Sequence, residues 1–346
     1  MEEDIFVELK EVSIGYRERL SSALVVKSNL SLHALGGEMI ALIGGNGTGK
    51  STLLKTIAGF QPPLSGEIYI HAKAFSAYTS EKLAREMSFV STEIVRVANL
   101  TVSEMVGLGR FPYTGWFGQL GETDLAIVHE AIRHVGLSGY ENRPVSRISD
   151  GERQRVMIAR ALAQDTPVMI LDEPTAFLDI SNKYEIVTIL RKLADEQGKC
   201  IIYSTHDLNS ALLSADHIWL MLGDRLVAGI PEDLALNGHL SGMFPGNPHL
   251  VFDPMKEDFR IRKENRGTIV LTATGSEKFA ANKALERLGF EVIDESTVSG
   301  SSNNRFVPVY PHVTQTVGGW LLEFSGSRTE AASLENLCRA VRKIRL

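Results

Sequence analysis

The sequence has few cysteines, no excess of positive charge and no long apolar run. Only Cys200 and Cys338 occur among its 346 residues, which predicts no disulfide framework, and both lie in apolar patterns typical of buried small side chains. Lys and Arg number 36 against 42 Asp and Glu, so nucleic acid is not expected as a partner. Without a run of about 18 apolar residues, no helix is expected to cross a membrane. The acidic start, Met1 to Asp4, lacks the basic and apolar character of a secretory leader, so we expect a cytosolic protein.

A glycine-rich segment after an apolar strand is the most informative part of the sequence. It is Ala41-Leu-Ile-Gly-Gly-Asn-Gly-Thr-Gly-Lys50-Ser51-Thr52. Its glycines let the backbone curl until several N–H groups face one concave surface, and the helix that begins near Lys50 adds further unpaired amides. Lys50 supplies a charge for the β- and γ-phosphates, and Ser51 supplies a hydroxyl for Mg²⁺. The segment therefore predicts a phosphate-binding loop of the G-x-x-x-x-G-K-[ST] type.

A second apolar stretch ends in two acidic residues. Val168-Met-Ile-Leu171 is followed directly by Asp172 and Glu173. This pattern predicts a buried parallel strand that delivers two carboxylates to the sheet edge where open α/β proteins bind ligands. Asp179 lies just past this strand, and His206 follows another apolar strand pattern. Taken alone, the aspartate fits a helix cap and the histidine fits a structural or exposed position.

An aromatic residue lies in a turn upstream of the loop. Tyr16 belongs to a Gly15-Tyr16-Arg17 turn between two strand patterns. In isolation it fits a surface tyrosine of a hairpin, but an aromatic ring beside a nucleotide site can also stack on the base. The phosphate loop downstream favours the stacking role.

These motifs, in this order, resemble the nucleotide-binding subunit of ABC transporters over residues 1–257. The resemblance also uses Ser149-Asp-Gly-Glu152 at the start of a predicted helix. It implies an α/β fold, the ABC-type P-loop NTPase, with a RecA-like core, an antiparallel β-subdomain and a helical subdomain at about residues 93–165. It further implies a head-to-tail homodimer. Each ATP would then lie between the loop of one copy and Ser149 and Gly151 of the other.

The resemblance assigns catalysis to Lys50, Glu173 and His206. Glu173 would be the general base for the attacking water, and His206 would be the switch that contacts the γ-phosphate. Ser51 would ligate Mg²⁺, and Asp172 would hold the ion through water. Phosphoryl transfer depends mostly on positioning and charge neutralisation, so a cation, a metal and one base suffice.

The resemblance also assigns the residues that bind ATP. Tyr16 would stack on adenine, and Asp179 would signal between the two copies. The expected binding residues are Tyr16, Gly44, Gly45, Asn46, Gly47, Thr48, Gly49, Lys50, Ser51, Thr52, Ser149, Gly151, Glu152 and Asp179.

Two positions depart from the family pattern. Where the family has a glutamine that reaches the metal, this chain has Thr92 followed by Glu93. The threonine extends less far, whereas the glutamate reaches further but repels phosphate, so either residue is a candidate metal contact. Asp150 replaces the first glycine of the usual Ser-Gly-Gly. Because a carboxylate is unfavourable beside a triphosphate, we expect the Asp150 side chain to point away while Gly151 keeps the phosphate contact.

Further segments resemble one importer branch of the family, which takes up iron-siderophores, haem and cobalamin. They are the segment from Asn99 to Thr114, Ala215-Asp-His-Ile-Trp-Leu220 and Ala228-Gly-Ile-Pro-Glu232. This resemblance implies an ATPase at the cytoplasmic face of the membrane. It would be bound to integral permease subunits and coupled indirectly to a substrate-binding protein. The alternative is a soluble ABC ATPase outside transport, such as one for iron–sulfur assembly.

The family pattern stops near Asp258, and residues 258–346 predict a small accessory α+β domain. The strand and helix patterns from Thr268 onward suit a ferredoxin-like fold with a dimerising or regulatory role. Ser327 and Glu330 are expected to cap a last helix that carries Leu334.

Overall fold

The computed structural model describes eight segments of the chain, residues 4–17, 23–91, 100–115, 118–243, 250–253, 258–261, 265–295 and 310–344. The chain divides into two compact units, Met1–Arg260 and Ile261–Leu346. The division falls three residues after the position expected from the sequence. Phe259 accounts for this shift, because its ring packs edge-on against Phe252 of the first unit's core at 5.4 Å between centroids.

An antiparallel sheet forms one layer of the first unit. Its strands are β1 (Ile5–Tyr16), β2 (Leu24–Leu35), β4 (Ser65–Ile70) and β5 (Lys73–Ala74), in the order β2-β1-β4-β5. Alternate residues such as Val7 and Leu9 on β1 are buried in a core cluster shared with the first helix, as expected for a sheet with one covered face.

A second, mainly parallel sheet lies at the centre of the first unit. Its strands are β3 (Met39–Gly44), β6 (Met87–Val90), β7 (Val168–Leu171), β8 (Cys200–Thr205), β9 (His217–Leu222) and β10 (Arg225–Gly229), in the order β10-β9-β3-β8-β7-β6. Only β10 pairs antiparallel. Every residue of β3, β7 and β8 is buried, which explains their unbroken apolar sequences.

Eight α-helices complete the described part of the first unit. They are α1 (Lys50–Ile57), α2 (Ser80–Leu83), α3 (Val102–Gly107), α4 (Glu122–His134), α5 (Asp150–Ala163), α6 (Ile180–Gln197), α7 (Leu208–Ser214) and α8 (Pro231–Leu236). Helices α3, α4 and α5 pack on one another through Val106, Ile132 and Val156. They form the helical insertion that the sequence indicates, between β6 and β7. The α/β fold class is thereby confirmed. A short pair of strands, β11 (Leu250–Asp253) and β12 (Asp258–Ile261), follows.

The described part of the second unit, residues 265–295 and 310–344, holds a five-stranded sheet and two helices. Its elements are β13 (Thr268–Thr272), α9 (Gly275–Arg287), β14 (Glu291–Asp294), β15 (His312–Thr316), β16 (Gly319–Phe324), β17 (Ser327–Ala331) and α10 (Leu334–Arg342). The order is β14-β13-β15-β16-β17. The ferredoxin-like expectation is wrong, because β13 pairs in parallel directly with β14 and with β15, whereas a split βαβ fold places another strand between the parallel pair.

The expected cap of the last helix is also wrong. Residues Ser327–Ala331 form β17, and the helix begins at Leu334 behind an N-cap at Ser333, whose side chain accepts from the backbone N–H of Asn336. Ser325 and Gly326 both adopt positive φ, at 50° and 80°, and this is the two-residue hairpin turn that joins β16 to β17.

Within the described segments, no helix is long and apolar enough to span a membrane.

Candidate functional site

The chemistry-bearing residues of the first unit meet at one edge of the parallel sheet. Strands β3, β7 and β8 run in the same direction, with Ile43 opposite Thr205 and Leu171 opposite Tyr203. The loop after β3, the acidic pair after β7 and His206 after β8 therefore leave the sheet at its carboxyl end. This is the edge at which open α/β sheets bind ligands.

The glycine-rich loop closes tightly over the end of β3. A Cβ atom on Gly44 would lie 2.8 Å from Thr48 Oγ1, and the Thr48 hydroxyl donates to the Gly45 carbonyl at 2.9 Å. Gly49, with φ of 100°, is the N-cap of α1, and a Cβ there would lie 2.4 Å from Val26 Cγ1. The loop therefore needs glycine at 44 and 49, and it leaves the amides at the start of α1 available to an anion.

Lys50 lies inside this loop. Its side chain is only 7% exposed, and Nζ donates to the carbonyl oxygens of Gly44 at 2.9 Å and Gly45 at 3.3 Å. Nζ also lies 3.8 Å from Glu173 Oε1. The loop thus holds a desolvated cation beside a carboxylate at the point where phosphate would enter.

A buried serine fixes the acidic pair. Ser204 Oγ, on β8, donates to Asp172 Oδ1 at 2.7 Å and accepts from the backbone N–H of Glu173 at 2.8 Å. Glu173 adopts φ of 46°, a conformation that non-glycine residues hold only when their surroundings impose it. Through these two hydrogen bonds, Ser204 holds the backbone of Glu173 in this conformation. Ser204 was not predicted as a functional residue; the one signal for it is a polar position inside an apolar strand, two residues before His206.

Glu173 lies between two positively chargeable groups. While Oε1 faces Lys50, Oε2 lies 3.8 Å from Nδ1 of His206, whose side chain is 57% exposed. The structure thus brings the three predicted catalytic residues together. His206 occupies the exposed rim, where a bound phosphate could reach it.

Tyr16, the predicted base-stacking residue, lies next to the loop. Its side chain is 50% exposed, and its hydroxyl hydrogen-bonds to Thr52 Oγ1 at 2.9 Å. Since Thr52 is in the first turn of α1, this contact ties the aromatic ring to the phosphate loop.

The donor set at the sheet edge fits magnesium. Ser51 is exposed in the first turn of α1, and Asp172 is a buried carboxylate. Among the described residues there is no group of three or more His, Cys, Asp or Glu that could hold a metal. Mg²⁺ binds proteins through one or two oxygen ligands, such as these two side chains offer, and completes its shell with phosphate and water oxygens. Thr92 and Glu93 lie outside the described residues.

The predicted signature residues form the N-terminus of α5. The Ser149 side chain accepts from the Glu152 N–H at 3.2 Å, and Glu152 accepts from the Ser149 N–H at 2.7 Å. Hydrogen bonds from Tyr140 and Ser149 lower the pKa of Glu152. Asp150 is 68% exposed, and its carboxylate forms an ion pair at 2.5 Å with Arg153, one turn further along the same helix.

Asp179 is the N-cap of α6. Its side chain accepts from the backbone N–H of Asn182 at 2.8 Å and from the Asn182 amide at 3.0 Å for each carboxylate oxygen. The sequence assigned no role to Asn182.

A glycine loop around a buried lysine, joined at one sheet edge by an acidic pair and a histidine, defines a P-loop nucleoside triphosphatase. Comparison with known proteins narrows this class. The family described as ABC transporter matches residues 27–176. The chain is 37% identical to the achromobactin transport ATP-binding protein of Dickeya dadantii, over 71% of this chain and 90% of the relative. It is 35% identical to the iron(3+)-hydroxamate import ATP-binding protein of Bacillus subtilis, over the same shares. The protein belongs to the ABC transporter family as an ATP-binding ATPase subunit.

Solved structures agree with this assignment. A metal-chelate type ABC transporter superposes with a TM-score of 0.62 at 24% identity, over 74% of this chain and 95% of the other, which supports the fold. A dimeric ATP-binding cassette in a post-hydrolysis state with ADP and Pi superposes with a TM-score of 0.55 at 31% identity, over 62% and 94%. The alternative of a soluble ABC ATPase outside transport is not favoured by these relatives.

Proposed function

We propose that this protein energises the import of an iron-siderophore, haem or cobalamin-type metal chelate through a membrane permease. The single observation that carries the ATPase part is the juxtaposition of Lys50, Glu173 and His206 at the carboxyl edge of the sheet. The names of the relatives support the cargo class, since they include transport proteins for achromobactin and iron(3+)-hydroxamate.

Hydrolysis follows from the geometry of these side chains. Lys50 exchanges the carbonyl oxygens of Gly44 and Gly45 for the oxygens of the β- and γ-phosphates. Glu173 takes a proton from the water that attacks the γ-phosphorus, as the bond from that phosphorus to the ADP oxygen breaks. His206 contacts the γ-phosphate from the exposed rim. Ser51 and Asp172 would hold Mg²⁺, which neutralises charge developing on the phosphate oxygens.

Two copies form the working unit in this proposal. Ser149, Gly151 and Glu152 at the start of α5, together with Asp179, complete the nucleotide site of the partner in a head-to-tail dimer. Integral permease subunits anchor the dimer to the cytoplasmic face of the membrane, and a substrate-binding protein acts on it indirectly. The second unit serves as a dimer-stabilising or regulatory accessory.

The test is ATP hydrolysis by the purified 346-residue chain, alone and with the permease that co-purifies from membranes. We expect slow Mg²⁺-dependent turnover that rises when permease and loaded binding protein are added. The Lys50→Ala variant should bind no ATP and serves as the control. A chain that never associates with an integral membrane protein would contradict the transport role, whereas absence of turnover in the parent would contradict the ATPase role.

A further inference from the structure

The N-termini of α5 and α6 are in direct contact through Asn182, which belongs to none of the nucleotide-binding motifs. Gly151, in the first turn of α5, is buried and faces the side-chain amide of Asn182 in the first turn of α6. A Cβ atom at position 151 would lie 2.6 Å from Asn182 Oδ1, 2.7 Å from Cγ and 3.0 Å from Nδ2. Only glycine at 151 therefore leaves room for this amide.

The opposite side of the same amide is engaged by Asp179. Asn182 Nδ2 donates to both carboxylate oxygens at 3.0 Å, and the Asn182 backbone N–H donates to Oδ1 at 2.8 Å. An ion pair between Arg155 and Glu185 joins the two helices one turn further along. The amide thus has no freedom to turn without giving up its two hydrogen bonds to a carboxylate.

We propose that Asn182 is a positioning residue that locks Gly151 and Asp179 into one rigid block. This inference rests on the proposed function, in which both residues act at the nucleotide of the partner copy. Asn182 touches neither nucleotide nor metal in this account. Asn182 fixes the distance between Gly151 at the start of α5 and Asp179 at the start of α6. Both residues therefore reach the partner's ATP together when the dimer closes.

Position 151 requires glycine because of a contact within the same copy, with Asn182, apart from any contact with the partner's ATP. In Gly151→Ala the new methyl displaces the Asn182 amide, which must release Asp179. Gly151→Ala and Asn182→Ala then damage the same contact by different routes. The Asn182→Ala change removes the three atoms that a Cβ at 151 would meet, so in the double variant the methyl has room.

A double-mutant cycle on ATP-dependent dimerisation tests this coupling. Each change is made in the full chain carrying Glu173→Gln, and the dimer dissociation constant is measured by sedimentation with saturating Mg-ATP. We expect each single variant to weaken the dimer by about tenfold, as for loss of a hydrogen bond to a charged group. We expect the double variant to be no weaker than the weaker single. Multiplied effects in the double variant would overturn the proposal. Asn237→Ala, an exposed asparagine at the end of α8, should leave the constant unchanged.

A mixing experiment separates positioning of the partner-facing block from a general structural defect. The Asn182→Ala protein keeps its own phosphate-binding loop and Glu173. It is mixed with the Glu173→Gln protein, which keeps the block of Gly151, Asp179 and Asn182 but is expected not to hydrolyse ATP. The mixed dimer contains one intact site, so ATP turnover should exceed the sum of the two proteins assayed alone. Turnover equal to that sum would overturn the role of Asn182. If the parent chain neither dimerised nor hydrolysed ATP, the proposed function would fail instead.

Discussion

Removal of the Ser204 hydroxyl tests how the acidic pair is held. Ser204 is fully buried, and its Oγ makes one hydrogen bond to the Asp172 carboxylate and one with the Glu173 N–H. Ser204→Ala deletes both while changing the side-chain volume little. Hydrogen bonds to charged groups contribute about 1.5–3 kcal/mol, and a buried unsatisfied donor costs about 1–3 kcal/mol. We therefore expect a loss of about 3 kcal/mol in the free energy of unfolding, or about 6–12 °C in Tm.

The same change should slow catalysis. Because Glu173 holds a positive φ of 46° next to the lost hydrogen bond, its backbone is expected to relax and move the carboxylate away from the attacking water. If the lost interaction falls on the transition state, kcat drops about 10- to 100-fold, since about 1.4 kcal/mol corresponds to a factor of ten. The assay is steady-state ATPase activity of the purified chain, together with thermal unfolding.

Ser88→Ala is the matched control for this prediction. Ser88 is a buried serine on β6 of the same sheet, and its hydroxyl is 3.0 Å from Thr166 Oγ1. Its removal should lower Tm while leaving kcat unchanged, since Ser88 contacts none of the acidic pair. Equal loss of kcat in both variants, or an unchanged kcat in Ser204→Ala, would refute the assigned support of Glu173.

Three further predictions concern other parts of the chain. Asp150→Gly should change ATP turnover by less than about tenfold, because the carboxylate already pairs with Arg153; a rise of orders of magnitude would contradict this. Hydrogen bonds lower the folded pKa of Glu152, so its stabilising effect is present above the unfolded pKa of about 4.3 and is lost as pH falls through the lower folded value. Tyr140→Phe should flatten that acid dependence of Tm. A chain ending at Arg260, the last residue of the first unit, should retain ATP binding in a fluorescent-nucleotide assay, while dimer assembly or regulation changes; lost binding would contradict an accessory role for the second unit.

Local sequence patterns predicted which residues meet at the sheet edge, because parallel strands bring the residues that follow them to the same edge. Asp172 and His206 each follow directly after an apolar strand. Because these two strands are parallel neighbours, both residues lie at the same edge of the sheet. The glycines at 44 and 49 are required by close approach of Thr48 and Val26, which the loop pattern encodes.

What the sequence missed depends on contacts between distant segments. Ser204 supports Glu173 from a neighbouring strand, and Asn182 meets Gly151 from another helix. No local periodicity reports either contact. In the second unit, the neighbours of β13 are set by long-range pairing, and the Ser325-Gly326 turn overrode a capping pattern beginning at Ser327.

The mass of the Glu173→Gln protein in solution, with and without Mg-ATP, tests the central claim most directly. Two copies that share nucleotide sites should sediment as a dimer with ATP and as a monomer without it, and Lys50→Ala added to the same chain should abolish the shift. A protein that stays monomeric at saturating Mg-ATP would contradict the account.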